Sequence, residues 1–190
     1  DPKKPYISCE YMHAMGNSCG GLKLYTELAD KYKLYQGGFI WDYIDQAMLR
    51  INDQGEEVFS YGGDYDDRAT DYEFCGNGLV YADRKISPKA QEVKYLYSDV
   101  KLTPDKCGVW IENQSLFRST KGFELFCRLF KEEQIIYEMT TEVAVEPGQK
   151  KYVEIAFPEV TESGEYVYEA SLRLSDDCLW AKKGHEITFG

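Results

Sequence analysis

The sequence predicts an α/β segment followed by an all-β sandwich, and two patterns support this division. An apolar segment, a helical pattern and a second apolar segment occupy residues 4–44 in the order of a βαβ unit of a parallel sheet. From Val100 onward, short alternating segments are separated by Gly, Pro, Asp or Glu, as in an antiparallel β-sandwich of about 90 residues, immunoglobulin-like in size. The composition changes near Tyr97, so we predict one domain over residues 1–97 and a second over residues 98–190.

The βαβ unit is predicted from three local patterns. The first strand is predicted over Lys4–Glu10, before a loop that contains a pair of glycines. Helical spacing of apolar residues in LKLYTELADKYKLY predicts the helix, namely Leu24, Tyr25, Leu28 and Tyr32. The segment QGGFIWDY predicts a second buried strand that ends at Trp41 and Asp42. Glu10 and Asp42 therefore both fall at the carboxyl ends of predicted parallel strands.

Further elements follow from turn and capping signals. In MLRINDQGEEVFSY, two short apolar segments flank a turn-rich NDQG, which predicts a β-hairpin. The polar loop GGDYDDRATDYEF follows, and long loops of this kind are often functional. Ser87 and Pro88 predict the N-cap and first turn of a helix through KAQEVKYLY. Six segments predict the strands of the sandwich: VWIENQ, FELFCRLF, IIYEMTTEV, KKYVEIAF, EYVYEASLRL and HEITF.

Charge and hydropathy exclude several classes of partner. The formal net charge is −11, whereas binding to phosphates or anionic lipids needs clustered Lys and Arg, so we expect no nucleic acid and no membrane partner. No apolar segment reaches the roughly 20 residues that span a bilayer. The N-terminus DPKKPYISCEY lacks the apolar centre of a secretory signal. We expect a soluble protein, for which a cytoplasmic location is favoured and a periplasmic one stays open.

Cysteine and aromatic content add two expectations. The six cysteines form no CxxC pair and are widely spread, so we expect reduced and mostly buried thiols rather than a zinc site or a disulfide framework. Aromatic residues make up 15% of the chain, including 16 Tyr and 3 Trp. Flat rings with a polar edge suit the binding of sugars, but they fill β-sheet cores equally well.

Five segments together resemble the β-galactosidases of glycoside hydrolase family 2: CEYMHAMGNSCGG, QGGFIWDYIDQ, YGGDYDD, FCGNGLVYADR and GHEI. They occur in the order found in that family and extend over the whole chain. The resemblance implies that residues 1–97 are the C-terminal portion of a (β/α)8 catalytic barrel. It also implies that residues 98–190 are the sandwich domain that follows the barrel in the large bacterial enzymes.

The resemblance assigns roles to five residues. Glu10 aligns with the catalytic nucleophile of a retaining glycosidase. His13 aligns with a His that bonds galactose hydroxyls, and Trp41 with the floor beneath the sugar. Phe74 and Asn77 align with a backbone carbonyl and a side-chain amide that hold Na⁺ or K⁺. The plainer alternatives are a structural role for His13 and core filling for Trp41.

Other parts of the family's site are implied to lie upstream of Glu10. These are the acid/base Glu, the Mg²⁺ ligands and a further ligand of the monovalent cation, so we expect no complete metal site in this chain. The chain alone is expected to be inactive, with the remainder of the parent chain and a lactose-like β-galactoside as its partners. A homo-oligomer stays open. Four acidic residues are interpreted as hydrogen-bond partners that fix loops: Asp42, Asp45, Asp64 and Asp71.

Two alternatives remain at this point. The first is a non-catalytic carbohydrate-binding or interaction module, built on the aromatic-rich sandwich. The second keeps the family but changes the sugar, because β-glucuronidases and β-mannosidases share the barrel and its carboxylates. The segments HAMGN and FIWDYID favour a galactosidase.

Overall fold

The computed structural model describes residues 3–67 and 69–190. The chain divides into two compact units, Asp1–Leu96 and Tyr97–Gly190. Strands dominate the described residues, and the helices are few and short. We refer to Asp1–Leu96 as the N-terminal unit and to Tyr97–Gly190 as the sandwich unit.

The N-terminal unit begins with the predicted βαβ arrangement. Strand β1 covers Tyr6–Tyr11, helix α1 covers Leu22–Lys31 and strand β2 covers Tyr35–Ile40. The two strands pair in parallel, which confirms the prediction, although β1 begins two residues later than expected. Helix α1 starts after Gly21, whose φ of 84° lies in the left-handed region that glycine adopts without strain.

The predicted hairpin is confirmed as strands β3, Met48–Ile51, and β4, Glu57–Ser60. The side-chain oxygen of Asn52 fixes its turn by accepting hydrogen bonds from the backbone N–H groups of Gln54 and Glu56, at 3.0 and 2.9 Å. A 3-10 helix follows at Tyr72–Cys75.

Helix α2, Lys89–Tyr97, confirms the second predicted helix. The backbone carbonyl of Ser87 accepts from Ala90 N at 3.1 Å. The Ser87 hydroxyl, in contrast, is buried and has no hydrogen-bond partner among residues 3–67 and 69–190. Ser87 therefore takes the predicted N-cap position through its carbonyl, whereas its hydroxyl makes no capping hydrogen bond among the described residues.

Seven strands form the sandwich unit, in two antiparallel sheets. One sheet has the order β5-β6-β9 and the other the order β11-β10-β7-β8. Strand β5, which contains Pro104, was not predicted as a separate strand, and it lies at the edge of its sheet, where Pro is tolerated. The bounds are β5 Val100–Asp105, β6 Gly108–Asn113, β7 Phe123–Lys131, β8 Gln134–Val143, β9 Lys150–Glu154, β10 Tyr166–Leu174 and β11 Glu186–Phe189.

One apolar core joins the two sheets, which confirms the predicted sandwich. Val109 and Ile111 from β6 pack in the same buried cluster as Leu125 from β7 and Leu172 from β10. The strand count equals that of a constant-type immunoglobulin domain, in which the fourth strand belongs to the sheet of the first two. Here the fourth strand, β8, pairs instead with the third, β7.

The cysteines differ in part from the prediction. All six are free thiols, but three of them are exposed: Cys9, Cys107 and Cys178. Only Cys19 and Cys127 are buried, and Cys75 is intermediate. The expectation of mostly buried thiols is wrong because it treated each Cys as a core residue, whereas Cys107 lies in the turn between β5 and β6.

Candidate functional site

The candidate site lies where β1 and β2 end. Glu10 is the penultimate residue of β1, and Trp41 directly follows β2. Because the two strands are parallel, their carboxyl ends lie at the same edge of the sheet, where barrel enzymes build their active sites. Glu10 is exposed, and 43% of the Trp41 surface is accessible. Both side chains are thus available to a ligand at this edge.

Backbone hydrogen bonds tie the loop after Glu10 to Trp41. The N–H of Trp41 donates to Tyr11 O at 3.4 Å, and the N–H of Ala14 donates to Trp41 O at 2.6 Å. The ammonium group of Lys89 donates to the carbonyl of Ala14 from the start of α2. The path of this loop is therefore set by hydrogen bonds from the Trp41 backbone and from the Lys89 side chain.

His13 lies in the same loop and contacts the 3-10 helix. Its ring centroid is 5.7 Å from that of Phe74, with the ring planes tilted by 54°. Two residues of this loop, Ala14 and Cys19, form a small buried cluster with Leu79. This cluster anchors the loop, and His13 is half-buried.

Asn77 connects the 3-10 helix to Trp41. The Asn77 Nδ2 group donates to Phe74 O at 2.6 Å, and the Asn77 carbonyl accepts from Asp42 N at 2.7 Å. The peptide unit between Trp41 and Asp42, which is cis, therefore bonds the Glu10 loop through its carbonyl and the Asn77 segment through its N–H. Three loops meet at this one peptide.

The Asn77 side chain fits the implied role in binding a monovalent cation. Asn77 is 2% exposed, and its Oδ1 atom has no hydrogen-bond partner in the described part of the chain. A buried oxygen without a partner is costly, and oxygen atoms are the ligands of hard cations. In the structure Nδ2 faces Phe74 O, so the amide would have to turn by about half a rotation for Oδ1 and the Phe74 carbonyl to face one ion.

The usual ligands of divalent metals are His, Cys, Asp and Glu. Apart from residues 1, 2 and 68, which are not described, no three His, Cys, Asp or Glu side chains come together in a way that could hold a metal ion. The helices of residues 3–67 and 69–190 also include none with the length and hydropathy of a membrane span.

Contacts therefore connect four of the five predicted site residues: His13, Trp41, Phe74 and Asn77. Glu10 lies at the same strand edge, where its side chain is exposed. The roles of Ala14 and Lys89 were missed, because Ala14 acts through its main chain and the bond from Lys89 joins positions 75 residues apart, so neither leaves a local pattern in the sequence. The loop-fixing interpretation is confirmed for three carboxylates. Asp42 accepts from Gln46 Nε2 and Asp64 from Tyr61 N within their own loops, and Asp45 accepts from Gly78 N in a distant segment. Asp71 instead accepts through its backbone carbonyl, from Phe74 N at 3.2 Å.

Comparison with known families gives two matches along the chain. Residues 1–102 match the model described as glycosyl hydrolases family 2, TIM barrel domain. Residues 109–190 match the model described as β-galactosidase, domain 4. The first match covers more than half of the chain, and the change between the two matches falls close to the division between the two compact units.

Curated relatives agree with these matches. The chain is 56% identical over 192 residues to a β-galactosidase of Halalkalibacterium halodurans, with 100% of this chain and 19% of the relative covered. It is 56% identical over 190 residues to a β-galactosidase of Clostridium acetobutylicum, covering 100% of this chain and 21% of that protein. A β-galactosidase of Streptococcus thermophilus is 48% identical, with 100% and 18% covered. The chain spans about a fifth of the length of these relatives, and it belongs to glycosyl hydrolase family 2.

Proposed function

We propose that this chain is part of a retaining β-galactosidase that hydrolyses terminal β-D-galactosides through a glycosyl-enzyme intermediate. The main support is the meeting of three loops at the Trp41–Asp42 peptide, since it gathers the Glu10 loop, Trp41 and Asn77 at one strand edge. The β-galactosidase names of the relatives support the galactoside as substrate.

In this proposal Glu10 is the nucleophile. One of its carboxylate oxygens attacks C1 of the galactosyl group, and the bond from C1 to the leaving-group oxygen breaks as a second carboxylic acid protonates that oxygen. Water then attacks C1 after losing a proton to the same second carboxylate, and Glu10 is released. The second carboxyl group is assigned to a barrel strand outside this chain.

Binding of the sugar is assigned to His13 and Trp41. A half-buried imidazole can bond sugar hydroxyls, and the indole face offers a flat apolar surface to the C–H groups of galactose. The contact of His13 with Phe74 and the hydrogen bond from Ala14 to Trp41 hold both groups against the same loop. Trp41 is therefore expected to orient the sugar as well as to bury it.

A monovalent cation, Na⁺ or K⁺, would be held by the Phe74 carbonyl and the Asn77 amide oxygen, together with a ligand from outside this chain. It would supply positive charge beside the substrate hydroxyls. Mg²⁺ is assigned to residues outside this chain altogether. The N-terminal unit would form the C-terminal portion of the barrel, and the sandwich unit would be an immunoglobulin-like domain of seven strands.

Replacement of Glu10 tests the nucleophile in the intact enzyme. Glu10→Gln should remove nearly all turnover of a nitrophenyl galactoside, because an amide is a far weaker nucleophile than a carboxylate. The matched control is Glu27→Gln, which changes an exposed carboxylate of α1 that is paired with Lys23 at 3.6 Å. Near-normal kinetics of Glu10→Gln would refute the assignment.

Two measurements sharpen this test. An activated 2-deoxy-2-fluorogalactoside should label Glu10 covalently, with the adduct located by peptide mass spectrometry, and proton NMR should show a β-configured first product. Nitrophenyl glucuronide and mannoside should be turned over far more slowly than the galactoside. A first product of α configuration would rule out the retaining mechanism, and faster turnover of another sugar would change the substrate.

The chain alone should show no turnover, because a nucleophile without its acid cannot protonate the leaving group. The assay uses purified chain and a nitrophenyl galactoside, with the chain that carries Glu10→Gln as its control. Turnover that disappears in this variant would contradict the proposal that the acid/base lies elsewhere.

A further inference from the structure

Asp45 makes a long-range contact with the segment that carries Asn77. Its Oδ1 atom accepts a hydrogen bond from Gly78 N at 2.7 Å, across 33 positions of sequence. Its own N–H donates to Val80 O at 2.9 Å. Asp45 therefore bonds both end residues of the short segment 78–80, and its side chain is half-buried.

Gly78 can take this position because it lacks a side chain. A Cβ atom at Gly78 would overlap the backbone nitrogen of Asp45 and the carbonyl oxygen of Val80. The two segments thus approach each other more closely than any residue with a Cβ would permit. The Asp45 carboxylate occupies this contact as the acceptor of the Gly78 N–H.

The residue held next to Gly78 is Asn77, the proposed cation ligand. Its backbone carbonyl accepts from Asp42 N at 2.7 Å, and Leu79 N donates to Asp42 O at 3.1 Å. Its buried amide lies against Phe74 O and leaves Oδ1 without a partner in the described residues. The position of the backbone at 77–78 consequently sets where the Asn77 amide lies relative to the Phe74 carbonyl.

We propose that Asp45 is a positioning residue for the monovalent cation, holding the Asn77 amide and the Phe74 carbonyl where both oxygens can face one ion. This inference rests on the proposed function, since it assumes a cation at Asn77. Asp45 acts through the Gly78 N–H and does not touch the ion. Because the Asp42 N–H bonds Asn77, the same segment also connects the cation to Trp41.

The test uses the intact enzyme and measures Na⁺ binding directly by ²³Na NMR line broadening, at constant ionic strength maintained with choline chloride. Asp45→Ala removes the acceptor of the Gly78 N–H, a hydrogen bond to a charged group. Because such bonds typically stabilise by at least a factor of about ten, the Na⁺ concentration for half-saturation should rise about tenfold. The matched control is Asp67→Ala, because Asp67 Oδ1 accepts from Gly63 N, also at 2.7 Å, in a different loop. This control should bind Na⁺ as the wild type does.

Two conservative variants separate positioning from simple attraction of charge and keep the test valid if Asp45→Ala does not fold. Asp45→Asn retains an acceptor oxygen for Gly78 N–H without the charge, so it should bind Na⁺ within about threefold of wild type. Asp45→Glu retains the charge but displaces the carboxylate by one methylene, so it should bind several-fold more weakly. The reverse order, or wild-type affinity in both variants, would overturn the proposal.

Kinetics supply a second measurement. In Asp45→Glu, KM for the galactoside should rise at low Na⁺ and return toward the wild-type value at saturating Na⁺, while kcat at saturation stays within about threefold of wild type.

Asn77→Ala separates a failure of the proposed cation site from a failure of the role proposed for Asp45. If Asn77→Ala binds Na⁺ like the wild type, the proposed cation site fails and this inference with it. If only Asn77→Ala weakens binding and the Asp45 variants match Asp67→Ala, the inference alone fails.

Discussion

The N-terminal unit and the sandwich unit differ most in how much apolar surface each buries by itself. Among described residues, the buried cluster of the N-terminal unit consists of Ala14, Cys19 and Leu79. The cluster of the sandwich unit contains eleven buried residues drawn from both of its sheets. Burial of apolar area is the main favourable term in folding, so the sandwich unit carries most of the stability of this chain.

Exposed apolar side chains on the βαβ segment also indicate that the N-terminal unit buries little apolar surface by itself. Ile7 on β1 is 57% exposed, Phe39 on β2 is 66% exposed and Leu24 on α1 is 69% exposed. In a closed barrel, residues of these elements are covered by neighbouring strands and helices. The candidate site therefore lies on the unit with the smaller buried cluster, and the sandwich unit holds none of its five residues.

Hydrogen exchange should reveal the largest difference between the units. In the chain alone, amides of β7 and β10 should exchange at least about a thousandfold more slowly than those of β1 and β2, because exchange from a core requires opening of most of that unit. Fragment-resolved mass spectrometry in deuterated buffer measures this. Equal and strong protection of both units in a dilute monomer would show that the N-terminal unit is self-sufficient.

The two buried cysteines offer a matched comparison of the units. Cys127 is 0% exposed, and burial raises the pKa of its thiol, whereas Cys19 is 3% exposed within the smaller cluster. Iodoacetamide should alkylate Cys127 about a hundredfold more slowly than Cys19, since local opening is easier in the N-terminal unit. The exposed Cys107 serves as the fast control. Equal rates for the two buried thiols would contradict the comparison.

Leucine truncation tests the sandwich core. Leu172→Ala should lower the free energy of unfolding of the sandwich unit by about 2–5 kcal/mol, because the side chain is 0% exposed and its loss leaves a cavity. Leu24 lies on α1 of the N-terminal unit and is 69% exposed, so Leu24→Ala should change the free energy of unfolding of that unit by less than about 0.5 kcal/mol. Urea unfolding followed by near-ultraviolet circular dichroism measures both variants. Similar effects of the two changes would refute the contrast.

A smaller effect concerns Tyr152 at alkaline pH. Burial, followed by a hydrogen bond to Asp105, raises the pKa of Tyr152 to about 12. Since the folded-state pKa exceeds the unfolded value of about 10, its contribution to stability is complete below pH of about 10 and is lost as the pH rises toward 12. Tyr152→Phe should therefore lose less stability than wild type between pH 9 and 11. Urea titrations at both pH values measure these losses of stability. An identical loss in Tyr152→Phe and in wild type would contradict the raised pKa of Tyr152.

The sequence alone determined the local elements and the family. Periodicity and turn residues predicted the βαβ unit, the Asn52 hairpin, helix α2 and six strands of the sandwich. These succeed because each depends on residues a few positions apart. The segments around Glu10, Trp41 and Asn77 carried the resemblance to family 2, because the order of such motifs is itself a sequence property.

Tertiary structure decided the contacts between segments far apart in the chain. It buried the Ser87 hydroxyl without a hydrogen-bond partner among the described residues, exposed Cys107 and placed Pro104 in an edge strand. It also brought Asp45 to Gly78. Local patterns cannot predict these, because main-chain hydrogen bonds and burial depend on which segments become neighbours, and any residue type supplies the N–H and C=O groups involved.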